Sequence, residues 1–396
     1  MRDFYRDSGG APNHARQHYN AHMAHELLGG LTPERFLRRH WQKKPLLVRN
    51  ALREPALNLG AADLFALATR DDLQSRIITQ TRGRWQVRHG PFRKGEMARL
   101  PARGWTLLVQ GIEQVSPQAA RLLQAFSFIP HARLDDLMAS YAPPGGGVGP
   151  HFDSYDVFLI QGAGKRNWKV STQRDLALVE DEPLRILRNF RARDAWTLDA
   201  GDLLYLPPRH AHDGVAVTPC VTLSVGFRAP SAQELSARFL DFLHDQLQVE
   251  GMYEDADLRR QEHPAEISAA SLKKIARLLA GARWNATDVT RFAGGYLTEP
   301  KPEVMFTPPR RALNLGEFTA AVRKTGLHLD LKSRMLFCGG DVFINGERHR
   351  PGTDAMRALA RLADKRELGA TALNAAAADL LYEWYRSGYA WPGPAR

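Results

Sequence analysis

The chain has 396 residues, 44% of them hydrophobic, which is enough for folded cores and two or three domains and excludes a disordered chain. It contains no apolar run of about 18 residues, so no membrane span is expected; two cysteines, Cys220 and Cys338, give no disulfide framework and fit a reducing, cytoplasmic setting. Lys and Arg number 54 against 43 Asp and Glu, a net charge of +11. The cations are scattered without a block of like charges, so a soluble protein of basic pI is the plainer expectation and contact with RNA or a ribonucleoprotein the second.

From the N-terminus, Met1 to Asn20 is polar and lacks the apolar core of a secretory signal; residues 1–30 are expected to form a flexible tail. Thr32-Pro33 starts a helix, with Thr as N-cap and Pro at the first helical position, and it ends before Pro45. Short strand-like runs follow at Leu46 to Val48, Arg76 to Thr81, Trp85 to Arg88, Trp105 to Gln110, Val157 to Ile160, Asn167 to Ser171, Asp202 to Leu206 and Val221 to Phe227. Gly- and Asp-rich turns separate them, which predicts a sandwich or barrel over 31–230. Residues 231–300 read as helical. Ser231 with Glu234 makes a capping box, Leu235, Phe239, Phe242 and Leu243 repeat at helical spacing, and a second helix around Leu272 to Leu279 stops at Gly281. These helices cannot bury themselves alone and need the barrel or a second subunit. After Pro300 and Pro302, residues 301–396 mix helices (Glu317 to Thr325, Thr353 to Lys365, Ala372 to Ser387) with a hairpin of Met335 to Phe337 and Val342 to Asn345, which suggests a winged-helix module.

The chemistry concentrates at Gly147-Val-Gly-Pro-His151-Phe-Asp153-Ser-Tyr155-Asp156. Residues i and i+2 of a strand share a face, so His151 and Asp153 are expected to reach one metal from one strand. His212 supplies a third ligand from a distant strand; His210 is its rival. Two histidines and one carboxylate on one face suit a non-haem iron(II) oxygenase. His-x-Asp alone is weak, since His328-Leu-Asp330 repeats it in a helical region, where it reads as structural.

A cation would be needed for the distal carboxylate of 2-oxoglutarate, and Arg166 is the candidate, with Lys165 and Lys169 as competitors. Ser140 could add a hydroxyl, though by itself it reads as an ordinary strand residue. Cys220, Thr222 and Ser224 alternate along one face of a strand. That face either lines a site or wets an edge.

At these residues the sequence resembles the JmjC-type bacterial ribosomal oxygenases. The resemblance runs through Pro144-Gly-Gly-Gly-Val-Gly-Pro-His151-x-Asp153-x-Tyr155-Asp156-Val-Phe158, Gln161-Gly-x-Gly-x-Arg166-x-Trp168, Leu204-Tyr-Leu-Pro-Pro208 to His212-Asp-Gly, and Ser224 to Pro230. Leu31-Thr-Pro-Glu-Arg-Phe-Leu and Trp41-Gln-Lys-Lys-Pro-Leu-Leu also fit. It is strong over 30–230 and looser beyond. It implies an α+β chain with a double-stranded β-helix (cupin) core, a helical dimerisation region and a C-terminal winged-helix-like domain. It also implies iron(II) held by His151, Asp153 and His212, with 2-oxoglutarate held at Arg166 and Ser140. The implied reaction is hydroxylation of an arginine β-carbon in a large-subunit ribosomal protein ("L sixteen"), by a homodimer in the cytoplasm. Tyr155 and Asp156 are candidate contacts to a cationic substrate. The sequence departs at Arg209-His210, where relatives are small and apolar, and at Ala142, where a serine is expected.

Overall fold

The structure, a computed structural model, describes residues 23–52 and 57–394. Most of the expected N-terminal tail lies outside the described residues. Its last part, 23–30, is helical and packed, with Leu27 and Leu28 fully buried, which corrects the tail boundary. Helix α1 (Pro33–Arg39) starts where Thr32 Oγ1 accepts the Arg35 N–H at 3.3 Å. It drives Phe36 edge-on into Tyr205, 4.9 Å between centroids, so the helix is held by aromatic burial rather than length.

The elements that follow are β1 (Leu46–Val48), α2 (Ala61–Leu67), β2 (Ser75–Thr81), β3 (Arg84–His89), α3 (Lys94–Met97), β4 (Trp105–Val109), α4 (Pro117–Gln124) and β5 (Leu134–Ala142). Next come β6 (Val157–Ala163), β7 (Arg166–Ser171), β8 (Asp194–Leu198), β9 (Leu203–Leu206), β10 (Ala211–Ala216) and β11 (Cys220–Phe227). Eight strands form one antiparallel sheet in the order β1-β9-β6-β11-β5-β4-β2-β3, and β10-β7-β8 form a second. Strand alternation assembles the two layers. Phe158, Ile160, Leu203 and Tyr205 face the helices around Phe36. Val157, Leu159, Leu204 and Leu206 face the small sheet, where they meet Trp168, Val170 and Leu198. The two facing sheets make the expected double-stranded β-helix. Strands β5, β8 and β10 have no counterpart among the sequence-based expectations.

Helices α5 (Ala232–Gln246) and α6 (Ala269–Leu279) come next. Ser231 caps α5 by accepting the Glu234 N–H at 3.0 Å, but Glu234 does not complete a capping box: its carboxylate takes the Tyr296 hydroxyl instead. Both helices leave large apolar side chains in solvent, with Leu240 62%, Leu272 54% and Leu279 68% exposed.

Helix α7 (Ala286–Thr298) lies in the span expected to be the helical region, yet it packs on a sheet of β13 (Met335–Cys338), β14 (Asp341–Ile344) and β15 (Glu347–His349). A Cβ on Gly294 would sit 2.4 Å from Phe343, and Gly346 N donates to Thr298 Oγ1 at 3.0 Å. The C-terminal unit therefore starts before residue 286, not at 301. Its remaining helices are α8 (Leu315–Thr325), α9 (Thr353–Lys365) and α10 (Ala375–Arg386). The strands β12 (Leu327–Leu329), β16 (Glu367–Leu368) and β17 (Ala390–Pro392) form a second small sheet beside them.

Candidate metal centre and co-substrate cavity

His151 is not on a strand with Asp153. It sits in the loop before β6, tied to β10 by a reciprocal bridge: His151 N donates to His212 O at 2.9 Å and His212 N to His151 O at 2.8 Å. Asp153 follows just before a bend at Ser154 and Tyr155, its backbone oxygen held by Arg209 N at 2.7 Å. The shared face comes from this bridge, not from strand periodicity. His212 is the second residue of β10, a strand distant in sequence.

Each imidazole turns Nδ1 to a backbone carbonyl, His151 to Gly149 O and His212 to His210 O, both at 2.9 Å. A proton on Nδ1 leaves Nε2 as the free lone pair, the form that ligates a metal. Ligand atoms of His151, Asp153 and His212 lie within 4.8 Å of one another, with His212 Nε2 3.7 Å from Asp153 Oδ2. Burial, helped by the adjacent His151, pushes the His212 imidazole down to about 4, so it stays neutral. These three form one metal-capable group among the described residues; His210 stands outside it, its Nδ1 on Pro208 O at 3.3 Å.

Gly149 shapes the loop. Its φ is +80°, and a Cβ there would meet Trp85 and Ile186 at 2.7 Å. The loop before His151 is thus pressed against the wall of the small cavity mouth.

The triad opens into a cavity of about 430 Å³ lined also by Arg76, Ser140, Tyr155, Arg166, Trp168, Thr222 and Ser224. Arg166 begins β7, is 3% exposed, and stacks over Trp168 at 5.7 Å. Its Nε and Nη2 have no hydrogen-bond partner among the described residues. A guanidinium buried without an anion is costly, so this cavity is built to receive one. Both rivals leave the site: Lys165 is exposed and pairs with Asp199 at 2.8 Å, and Lys169 points outward. Ser140 lies opposite Thr222 and donates to its carbonyl at 3.3 Å. Strand β11 runs between β5 and β6, so Thr222 and Ser224 line the cavity rather than wetting an edge; Cys220 is buried apart from it with Ala142 and Ala216.

Tyr155 lines the mouth, but Asp156 does not. Asp156 is fully buried on the far side, where it accepts the Tyr205 hydroxyl at 2.6 Å and Gln42 Nε2 at 3.0 Å, with Arg133 at 3.5 Å. It is a core anchor under α1 and no substrate contact. The acidic wall comes instead from β5: Asp136, Met138 and Ser140 alternate onto the cavity side, with Asp135 at its edge. Burial pushes Asp136 upward, and Lys301 Nζ holds it at 2.9 Å. The signal for these residues was the alternation Asp136-Leu-Met-Ala-Ser140, which the sequence reading passed over.

The second His-x-Asp is structural, as expected. His328 Nδ1 meets Gly393 O at 2.8 Å, and Asp330 accepts from Trp391 Nε1 at 3.1 Å.

A JmjC domain profile matches residues 121–235, a ROXA-like winged helix profile 281–390, and an AraC-like ligand binding domain profile 189–286. The chain is 33% identical over 327 residues to the ribosomal protein uL16 3-hydroxylase of Escherichia coli (strain K12), covering 81% of this chain and 87% of that one. It is 42% identical over 210 residues to a ribosomal oxygenase of Haemophilus influenzae, about half of each chain (52% and 52%). The structure of YcfD, a ribosomal oxygenase from Escherichia coli, in complex with cobalt and 2-oxoglutarate superposes with a TM-score of 0.77 at 32% identity, covering 91% of this chain and 98% of that one. On this identity and coverage, the chain belongs to the JmjC-type ribosomal oxygenases.

Proposed function

We propose that this protein is an iron(II)- and 2-oxoglutarate-dependent protein hydroxylase whose substrate is an arginine side chain of a large-subunit ribosomal protein. The observation that carries it is Arg166: a buried guanidinium with unpartnered nitrogens, in the same cavity as a two-histidine, one-carboxylate triad. His151, Asp153 and His212 would hold the iron, and two imidazole Nε2 lone pairs with one carboxylate suit that ion. Arg166, with Ser140 beside it, would hold the distal carboxylate of 2-oxoglutarate. When bound, iron with dioxygen would supply the oxidising power: one oxygen atom would enter a substrate C–H bond and the other the carboxylate of succinate, which leaves with carbon dioxide as the products of 2-oxoglutarate. This chain's residues do the rest. Trp168 and the packed sheets exclude water, and the Nδ1–carbonyl bonds keep both imidazoles aimed.

Arginine is favoured because Asp136 and Tyr155 at the mouth can take a cation, and because the Escherichia coli relative is named for uL16 3-hydroxylation. Lys301, bonded to Asp136, would orient that carboxylate. The test is incubation of uL16 peptides with the protein, iron(II) and 2-oxoglutarate. A gain of one oxygen on arginine supports the reading. Oxidation at histidine would move the substrate assignment, and no oxygen gain with any ribosomal peptide would favour a non-catalytic binding protein. We further infer a homodimer formed through α5 and α6, whose exposed Leu240, Leu272 and Leu279 lack cover in one chain, working among ribosomes in the cytoplasm.

A further inference from the structure

No unbroken block of like charge occurs in this chain, yet much of its basic excess falls within one 22-residue stretch. Residues 82–103 carry seven Arg and Lys against one acid, Glu96, a surplus of +6 out of the chain's +11. Arg82, Arg84 and Arg88 lie on the β2–β3 hairpin; Arg93, Lys94, Arg99 and Arg103 lie on α3 and the segments flanking it. All seven are exposed. Arg88 is engaged, paired with Glu96 and stacked over Phe92. The other six have no carboxylate partner among the described residues.

A bland account exists. β3 is the outer edge of the eight-stranded sheet, and a charge on an edge strand deters aggregation. That purpose needs one or two charges on the strand itself, whereas five of the seven lie beyond it. No large hydrophobic side chain is exposed over 82–103. A protein partner would want an aromatic or aliphatic anchor there, and a membrane would want an apolar face. Unpaired cations without an anchor, at the hairpin turn and along the segment that follows it, match a polyanion of regularly spaced charges.

The ridge is also wired to the active site. Arg76 and Ile78 of β2 line the catalytic cavity, and Trp85 of β3 packs on Gly149, two residues before His151. A ligand lying on the hairpin would therefore sit beside the cavity mouth.

We propose that the β2–β3 hairpin with the segment through Arg103 is a docking surface for the phosphate backbone of RNA. The surface follows from charge and shape alone; choosing RNA over DNA rests on membership of the ribosomal oxygenases. Its consequence is that the protein meets its substrate on an RNA-bearing particle, with the cavity mouth turned toward protein beside the RNA.

The test uses the full chain and a fluorescein-labelled RNA duplex of about 20 base pairs, read by anisotropy across a KCl series. The expected slope of log K against log [KCl] is about −3 to −5, from roughly −0.9 per phosphate neutralised. The triple variant Arg84→Glu, Arg93→Glu, Arg99→Glu should bind at least about tenfold more weakly near 100 mM KCl. A control variant with the same charge change at exposed Arg310→Glu, Arg311→Glu and Arg323→Glu should lose less than threefold. Hydroxylation of a free peptide by the hairpin variant should stay within about twofold, which separates this inference from the hydroxylase reading and reports correct folding. Equal losses in both variants would reduce the effect to net charge and overturn the proposal. Equal affinity for a DNA duplex of the same length, or tighter binding of polyglutamate or of phosphatidylglycerol vesicles, would overturn it as well.

Discussion

Replacing Arg166 by methionine should separate the two costs that the buried guanidinium carries. Without co-substrate, Nε and Nη2 are buried and unbonded, and each such group costs about 1–3 kcal/mol. Methionine fills a similar volume beside Trp168 with no polar atom to satisfy. The variant lacking 2-oxoglutarate should therefore be as stable as the parent or more so, although a 3%-exposed residue has been changed. With 2-oxoglutarate the sign reverses. Its distal carboxylate would enter a cavity without its cation, and breaking one side of a buried charge pair costs about 3–5 kcal/mol. At about 1.4 kcal/mol per tenfold, KM for 2-oxoglutarate should rise by about two to nearly four decades.

Two readouts test this. Succinate formation against 2-oxoglutarate concentration gives KM, and thermal unfolding with and without 2-oxoglutarate under an inert divalent metal gives the ligand-induced shift. The parent should show a shift and the variant none. Arg166→Lys keeps the charge but loses the forked geometry and should fall between them. A variant whose KM stayed within about threefold of the parent, or whose ligand-free Tm dropped by about 5 °C or more, would refute the argument, because then Arg166 would be a packing residue.

Further outcomes follow from the same geometry. His151→Ala, Asp153→Ala and His212→Ala should each abolish iron-dependent succinate formation, whereas His210→Ala should keep most of it; loss in His210→Ala of the same depth would put the third ligand in the wrong place. Asp136→Asn should raise the KM for an arginine peptide and, because it takes the carboxylate from Lys301, also lower Tm, whereas Asp156→Asn should lower Tm with no rise in that KM, because it unbalances bonds to Tyr205 and Gln42 that cost about 1–3 kcal/mol each to break. Glu113, buried near Asp136, has its carboxyl pushed up from an ordinary 4.5 to about 7 by burial and then by Asp136. The folded state then holds the extra proton between those values, so stability should decline as pH rises from about 4.5 to about 7 and level off above. Chemical denaturation of Glu113→Gln should show a flatter profile over that window; an unchanged profile would remove Glu113 as its source. Leu272→Glu with Leu279→Glu should shift the protein to monomer in sedimentation, and a persistent dimer would exclude that face.

What the sequence made legible, and what it hid, divides along a physical line. Features written in local chemistry were readable. Thr32 before Pro33 announced a cap, and the strand runs at β2, β6, β7, β9 and β11 came out within a few residues. The triad was visible as residues, but its geometry was not. The spacing of His151 and Asp153 suggested a strand, whereas a two-residue bridge to His212, 61 positions away, does the aligning. Pairing partners so distant leave no local trace. The helix α7 was likewise assigned by its neighbours in the chain, when its partner, the β13–β15 sheet, lies about 40 residues onward.

The mistaken substrate contact shows a subtler limit, because the needed information was present. Tyr155 closes the bend before β6 and Asp156 adjoins the strand, and the two turn to opposite sides. Both could not face one cavity, and naming both ignored parity. The alternation of β6 settles which one turns in. Val157 and Leu159 pack toward the small sheet, as does the cavity, and Phe158 packs toward Phe36. Asp156, an even number of residues before Phe158, therefore goes to the helix side, where Tyr205 and Gln42 already wait for a carboxylate. The same counting applied to Asp136, Met138 and Ser140 on β5 places all three together, opposite Leu137 and Ala139 of the core. A cationic substrate is therefore best sought at the residue that parity selects, Asp136, and the contrast between Asp136→Asn and Asp156→Asn measures that rule directly.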